Sequence, residues 1–213
     1  MKRAPALKKR IVKHPDVRRM EIISAAEKLF KKQGYEKTPV EAIIKKAGIA
    51  KGTFYYYFKT KHDILQALVD RIGEAMKNHL ITIAELPELN AIEKLKLIIR
   101  GREKKKIISS PVMEIIHRSE NRELQERLSI YAVSHVYPII ANIFQQGFNE
   151  KLFKNLLPQE TVQMIFSGSQ FILDSGLFNW SSKQKSNFLK SGQEVLEIIA
   201  GVKSGTFNFI SKE

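Results

Sequence analysis

No cysteine occurs among the 213 residues. That excludes disulfides, thiol chemistry and any Cys-based metal site, and it suits a cytoplasmic protein. Histidine is scarce, with five copies scattered along the chain, and there is neither an HExxH pair nor a phosphate-cradling glycine loop. Nothing in the sequence assembles a catalytic constellation, a metal site or a cofactor site. No apolar run approaches the ~20 uncharged residues of a membrane span. The first fourteen residues hold six Lys or Arg and lack the apolar stretch of a secretory leader, so residues 1–15 read as a basic flexible arm. Period-two alternation is absent as well, which leaves an all-α fold. Acidic residues are the last shortage: 22 Asp and Glu against 36 Lys and Arg give a net charge of +14.

That charge is unevenly spread. Residues 1–61 carry 17 Lys and Arg and only 5 acids, so +12 of the +14 lies in this first part. A basic footprint concentrated at one end is the electrostatic mark of nucleic-acid binding. Lysine-rich faces that merely solubilise a helical protein are the bland alternative, and the motif inside this region decides against it.

Thr38 to Lys61 reads as two short helices joined at Gly48. Thr38 suits an N-cap, Pro39 a first helical position, and Glu41 stands three residues after Thr38 as in a capping box. Val40, Ile43, Ile44 and Ala47 form one apolar face, and Gly48 suits a left-handed stop. The second helix starts near Ala50 and Lys51, with Phe54 and Phe58 inward. At about 100° per residue, Gly52 and Tyr56 lie opposite that pair, with Thr53 and Tyr55 on the flanks. Glycine weakens a helix, so its place on the exposed face suits close approach to something large. Thr60 caps a third helix with Asp63 at the capping-box position. Lys61 in that helix's first turn is unfavourable against the helix dipole, which an external phosphate would explain. The expected DNA-contacting set is Thr38, Lys51, Gly52, Thr53, Tyr55, Tyr56, Tyr57 and Lys61.

The segment from about Val17 to Val69 resembles the DNA-binding domain of the TetR/AcrR family of transcriptional regulators. The matching pieces are the run from Ile22 to Phe30, Gly34 with Tyr35, Thr38, Ile43, Lys46 to Ile49, Lys51 to Phe58, and Lys61. Ala50 stands where the family often has a serine that caps the recognition helix, and Tyr57 where a histidine is common. The resemblance implies a helix-turn-helix domain over 16–61, followed by a ligand-binding and dimerisation domain over 62–213.

The remainder reads as helices, about nine in all. The expected spans are Asp16–Gln33, Lys61 to about Ala84, Asn90–Ser109, Pro111–Ile116, Asn121–Asn149 with a kink at Pro138, a helix after Pro158 to about Asn179, and Lys183 to about Val202. The eighth and ninth carry surplus apolar surface interleaved with Ser167, Gly168, Ser175 and Gly176. An ordinary internal core is one account of it; the resemblance implies that these two helices pair with their counterparts in a homodimer, which suits a palindromic double-stranded operator. Met113, His117, Tyr131, His135, Phe144, Met164, Phe171 and Asp174 mix apolar walls with polar groups, and the resemblance implies a small-molecule effector chamber among them. The expected function is a sequence-specific repressor released by that effector; an architectural DNA binder of the same fold without effector is the alternative, and an enzyme finds no support.

Overall fold

The computed structural model describes residues 14–103, 121–173 and 177–211. Among these residues every regular element is helical. Helix α1 (Pro15–Gln33) begins with proline in its first turn and ends at Gly34, whose φ is 83°. Ile22, Ile23, Ala26 and Phe30 repeat at helical spacing and are buried. Helix α2 (Val40–Ala47) closes on Gly48 in the left-handed region at φ 65°, and α3 (Lys51–Tyr57) follows two residues later. Helix α4 (Lys61–Ala84) starts with the expected capping box: Asp63 N–H donates to Thr60 Oγ1 at 3.1 Å and Thr60 N–H returns to the Asp63 carboxylate at 3.0 Å. That backbone donation from Thr60 is the first reason Asp63 titrates below the usual carboxylate range.

Helix α5 (Ala91–Glu103) is capped by Asn90. The expected helix at 111–116 lies outside the described residues. The long helix expected from 121 to 149 is present as three pieces: α6 (Arg122–Tyr131), a π-helical turn (Ala132–Val136) and α7 (Tyr137–Asn149). Pro138 causes the break. It has no N–H to donate and its ring crowds the carbonyl four residues back. A wider turn, in which Tyr137 N–H reaches Ala132, absorbs the mismatch where a simple kink was expected. Helix α8 (Gln159–Ile172) stops well before Asn179. The indole N–H of Trp180 donates to the Ile172 carbonyl at 2.8 Å, satisfying a terminal acceptor of the helix. Helix α9 (Ser182–Ala200) opens on a Ser181–Gln184 capping box and ends at Gly201. Counting the interrupted helix once, the described residues hold eight helices.

Two apolar cores result, and they do not follow chain order. One gathers α1 to α3, the first half of α4, and Leu124 and Leu128 of α6. The other gathers the end of α4 with α5, the π turn, α7, α8, α9 and the C-terminal residues Phe207 and Phe209. Tyr131 packs against both. Its ring lies so close to Gly73 of α4 that an added Cβ there would sit 2.6 Å from it. Its hydroxyl donates to Glu74 at 2.7 Å, and burial first, then that carboxylate, push its pKa up to about 12. No described helix is long and apolar enough to cross a membrane.

Candidate functional site

Helix α3 presents two faces. Phe54 and Phe58 are buried and hold it against α1 and α4. Opposite them, Tyr56 is 75% exposed and Gly52 faces open space, with nothing within 4 Å of where a Cβ would stand. Lys51 is exposed and its ammonium lies 5.9 Å over the Tyr55 ring. Tyr57 is half-buried and meets Tyr56 edge-on at 4.9 Å; Thr53 is half-buried beside them. Ala50, as the residue before the helix, supplies no side-chain cap. The outer surface is a glycine gap flanked by phenolic hydroxyls and a lysine, groups able to hydrogen-bond base edges and phosphates.

Two expected contacts stand differently. Thr38 does not cap α2: Pro39 holds that position, with no side-chain bond. The Thr38 hydroxyl turns inward and donates to the Gly34 carbonyl at 2.6 Å, and the residue is fully buried. The reason is geometric, since the carbonyl freed where α1 stops at Gly34 needs a donor. Thr38 therefore sets the α1–α2 turn and offers no surface to DNA. Lys61 has a structural role that the spacing did not reveal. Its ammonium donates to the carbonyls of Tyr35 and Glu36 at 2.9 and 3.2 Å and rests 4.1 Å over the Tyr35 ring. One N–H of the three is left for a phosphate.

Sequence reasoning missed the frame around this surface. Arg19 of α1 lies 5.2 Å over the Phe58 ring. Tyr35 N–H donates to Asn121 Oδ1, a buried contact of 2.8 Å that ties the α1–α2 turn to the start of α6. Burial, then the charges of Glu123 and Glu36, push the Tyr35 pKa up to about 12. Beside it, His62 of α4 meets Glu123 at 3.0 Å, and Arg127 bridges to Gln66. The signal for these contacts was long-range pairing, which one sequence does not show.

The expected chamber residues divide. Met113, His117 and Asp174 lie outside the described residues. Phe144 is buried and lines a cleft with Leu95, Ile99, Phe166, Leu196, Phe207, Phe209 and Ile210. Tyr131 sits at the junction of the two cores, and His135 is exposed, stacked on Tyr131 at 4.4 Å. Met164 and Phe171 do not line a chamber: they are 75% and 58% exposed on the outer face of α8. They stand seven residues apart and share one stripe, with Gly168 between them. Val195 and Ile198 are exposed apolar residues of α9. Among the described residues, the cleft beside Phe144 encloses about 10 Å³, at the lower limit for a single water.

Two family models match this sequence. That of the tetR family of bacterial regulatory proteins covers residues 22–68, and that of the tetracyclin repressor-like C-terminal domain covers residues 96–195. The fatty acid metabolism regulator protein of Bacillus subtilis is 28% identical over 189 residues, which span 84% of this chain and 92% of that protein. The regulator BetI of Yersinia pestis is 28% identical over 194 residues, spanning 86% and 89%. Among solved structures, the fatty acid degradation regulator FadR from Bacillus halodurans superposes with a TM-score of 0.61 at 25% identity, over 81% of this chain and 87% of that one. With its helix-turn-helix carrying an open α3 face and its all-helical C-terminal part, the chain belongs to the TetR family and is a DNA-binding transcriptional regulator.

Proposed function

We propose that this protein is a homodimeric cytoplasmic repressor that reads a palindromic operator through α3 and leaves it when an apolar or amphipathic small molecule binds the C-terminal domain. The observation that carries the reading is the pairing of two unpartnered surfaces. One is the Gly52–Tyr56 face; the other is the exposed apolar stripe of α8 and α9. A two-fold axis through that stripe makes two copies of α3 available to half-sites about 34–36 Å apart. The names of the Bacillus relatives, which concern fatty acid metabolism and degradation, are in keeping with an apolar effector. Selection of bound duplexes from a random pool tests the reading. A palindrome with half-sites one turn apart supports it; a sequence-indifferent, strongly salt-dependent profile returns the architectural alternative.

Thr53→Ala and Tyr56→Ala are expected to change base preference as well as affinity, at about 1–3 kcal/mol per lost base contact. An unchanged preference in the same selection would move both residues to the phosphate class. Lys61→Ala is expected to weaken binding to all duplexes alike and to lower the salt slope by about one per subunit. Because the same ammonium secures the Tyr35 and Glu36 carbonyls, this variant also melts earlier. A loss confined to the operator, with non-specific binding intact, would contradict the phosphate role.

Release requires a ligand with different affinities for two arrangements of the domain, and it shifts DNA binding by no more than that difference. By reciprocity the operator weakens effector binding by the same factor, which calorimetry with and without operator measures.

A further inference from the structure

Beyond residue 195, where the C-terminal family match ends, the chain completes α9 and then turns back. Gly201 takes the left-handed region at φ 66°, and residues 203–211 run as successive tight turns with no helix. This segment delivers Phe207 and Phe209 into the second core, where they are 1% and 3% exposed. Phe207 meets Phe144 at 6.3 Å and Phe153 at 5.6 Å. With Ile210 they line the cleft beside Phe144, which would be open if they were elsewhere.

The attachment of this segment is slight for something so deeply set. The Glu197 carboxylate accepts from Gly205 N–H at 3.0 Å and Phe207 N–H at 2.7 Å. The Ser211 hydroxyl donates to Gln193 at 2.6 Å. Among the described residues its other hydrogen bonds stay within itself. A turn segment held by three bonds and two rings can detach as a local unit, whereas α5, α7 and α8 cannot leave without dissolving the core.

We infer that residues 203–211 are a built-in occupant of the effector chamber, and that the effector enters by displacing Phe207 and Phe209 and taking their place. This deepens the effector-release reading and rests on it for its biological consequence. The ligand chemistry follows from what the departing segment leaves. Two ring volumes open against Leu95, Ile99, Phe144, Phe166 and Leu196, and an empty cavity there is costly unless an apolar body refills it. Glu197 is 3% exposed, and none of its partners among the described residues is a cation. On displacement it loses two charge-assisted donors and keeps Gln193. A buried carboxylate left short of donors is unfavourable. The fitting ligand therefore has a body of about two rings and a hydroxyl or N–H head directed at Glu197, and a ligand carboxylate at that end is rejected.

The test uses the full chain without DNA, so that its failure is separate from a failure of effector-controlled release. The probes are 2-naphthol and its methyl ether, 2-methoxynaphthalene, which has the same rings and no donor. Calorimetry measures affinity, and hydrogen exchange follows the amides of Gly205 and Phe207. The expected result is that 2-naphthol binds, that these two amides lose protection at saturation while those of α5 and α7 keep it, and that the ether binds at least about tenfold more weakly, the worth of one hydrogen bond to a charged group. Gly205→Ala isolates the segment: an added Cβ meets nothing within 4 Å, but φ is 86°, so the change strains only the closed turn. It is expected to raise 2-naphthol affinity about fivefold. Should it fail to fold, Ser211→Ala supplies the same comparison by removing the bond to Gln193. Bound 2-naphthol with unchanged protection at Gly205 and Phe207, equal affinity in the loosened variant, or no binding in either protein would overturn the proposal. DNA release by 2-naphthol, measured separately, bears on the effector reading alone.

Discussion

Ile198→Asp is expected to convert dimers into monomers and to lower operator affinity by about 10²–10⁴-fold, with the helix-turn-helix domain still folded. Ile198 is 74% exposed on α9, one helical turn from Val195, and α8 carries the exposed Met164 and Phe171. An aspartate at the centre of an apolar contact has to be desolvated without a counter-charge, which costs several kcal/mol. The DNA consequence exceeds the contact itself. Each recognition helix alone makes a weak half-site contact, and joining two turns the second into an intramolecular event at millimolar effective concentration, a factor of about 10²–10⁴. Light scattering reads the assembly state. Trp180, the only tryptophan, provides a second signal: it stacks on Phe178 at 5.2 Å and touches Phe188 at 5.2 Å, at the joint between α8 and α9. Val17→Asp is the control, because Val17 is an exposed apolar residue on α1, a helix of the other core, and its variant is expected to stay dimeric. A dimeric Ile198→Asp, or a monomer with undiminished operator affinity, would place the dimer contact elsewhere.

What could be read in the sequence was what is local. The period of Ile22, Ile23, Ala26 and Phe30, the glycine at 48, the Thr60–Asp63 box and the Phe54–Phe58 pair are each fixed within a turn or two of helix, so spacing alone placed α1 to α4 nearly to the residue. Side chains whose partners lie outside their own helix are not legible from spacing. Thr38 has the composition of a cap, yet its hydroxyl goes to Gly34 because the end of α1 leaves a carbonyl there. Lys61 keeps only one N–H open to a phosphate, because the carbonyls of Tyr35 and Glu36 take the other two from 26 and 25 residues away. Met164 and Phe171 looked like pocket walls because an apolar stripe does not say which side is solvent; α8 buries Val162 and turns the other two outward. The C-terminal Phe207 and Phe209 drew no notice, since an aromatic pair outside any periodic segment gives no pattern to read. The boundary expected near residue 61 follows the chain, whereas the packing of α6 follows space.

That packing sets the second large effect. Leu124→Ala is expected to destabilise the DNA-binding core by about 2–5 kcal/mol, although Leu124 lies more than sixty residues beyond the helix-turn-helix. Its side chain is fully buried among residues of α1 to α4, so truncation leaves a cavity inside the unit that supports α3, and no exposed neighbour can collapse into it. Protection of the amides from Ile22 to Leu68 should fall, and operator affinity should fall with it. The dimer should persist, because α8 and α9 belong to the other core. Hydrogen exchange resolved by segment, alongside light scattering, separates the two units. Unchanged protection in α1 to α3 would mean that α6 lies on this core without supporting it. The same geometry says how a signal can travel. Helix α6 enters the first core through Leu124, with Asn121 just before it bonded to Tyr35, and α7 enters the second core through Ile140 and Phe144. Between them stands a π turn, a stretch of helix already off its regular register. On the proposed function, a ligand that changed the packing of α7 would move α6 through that turn, with Tyr131 held against Gly73 as the contact to α4. In Leu124→Ala the far end of this connection is loosened, so effector and operator should also become less coupled: the factor by which operator weakens effector binding should approach one. Coupling that survives at its wild-type value would assign the transmission to α4 alone.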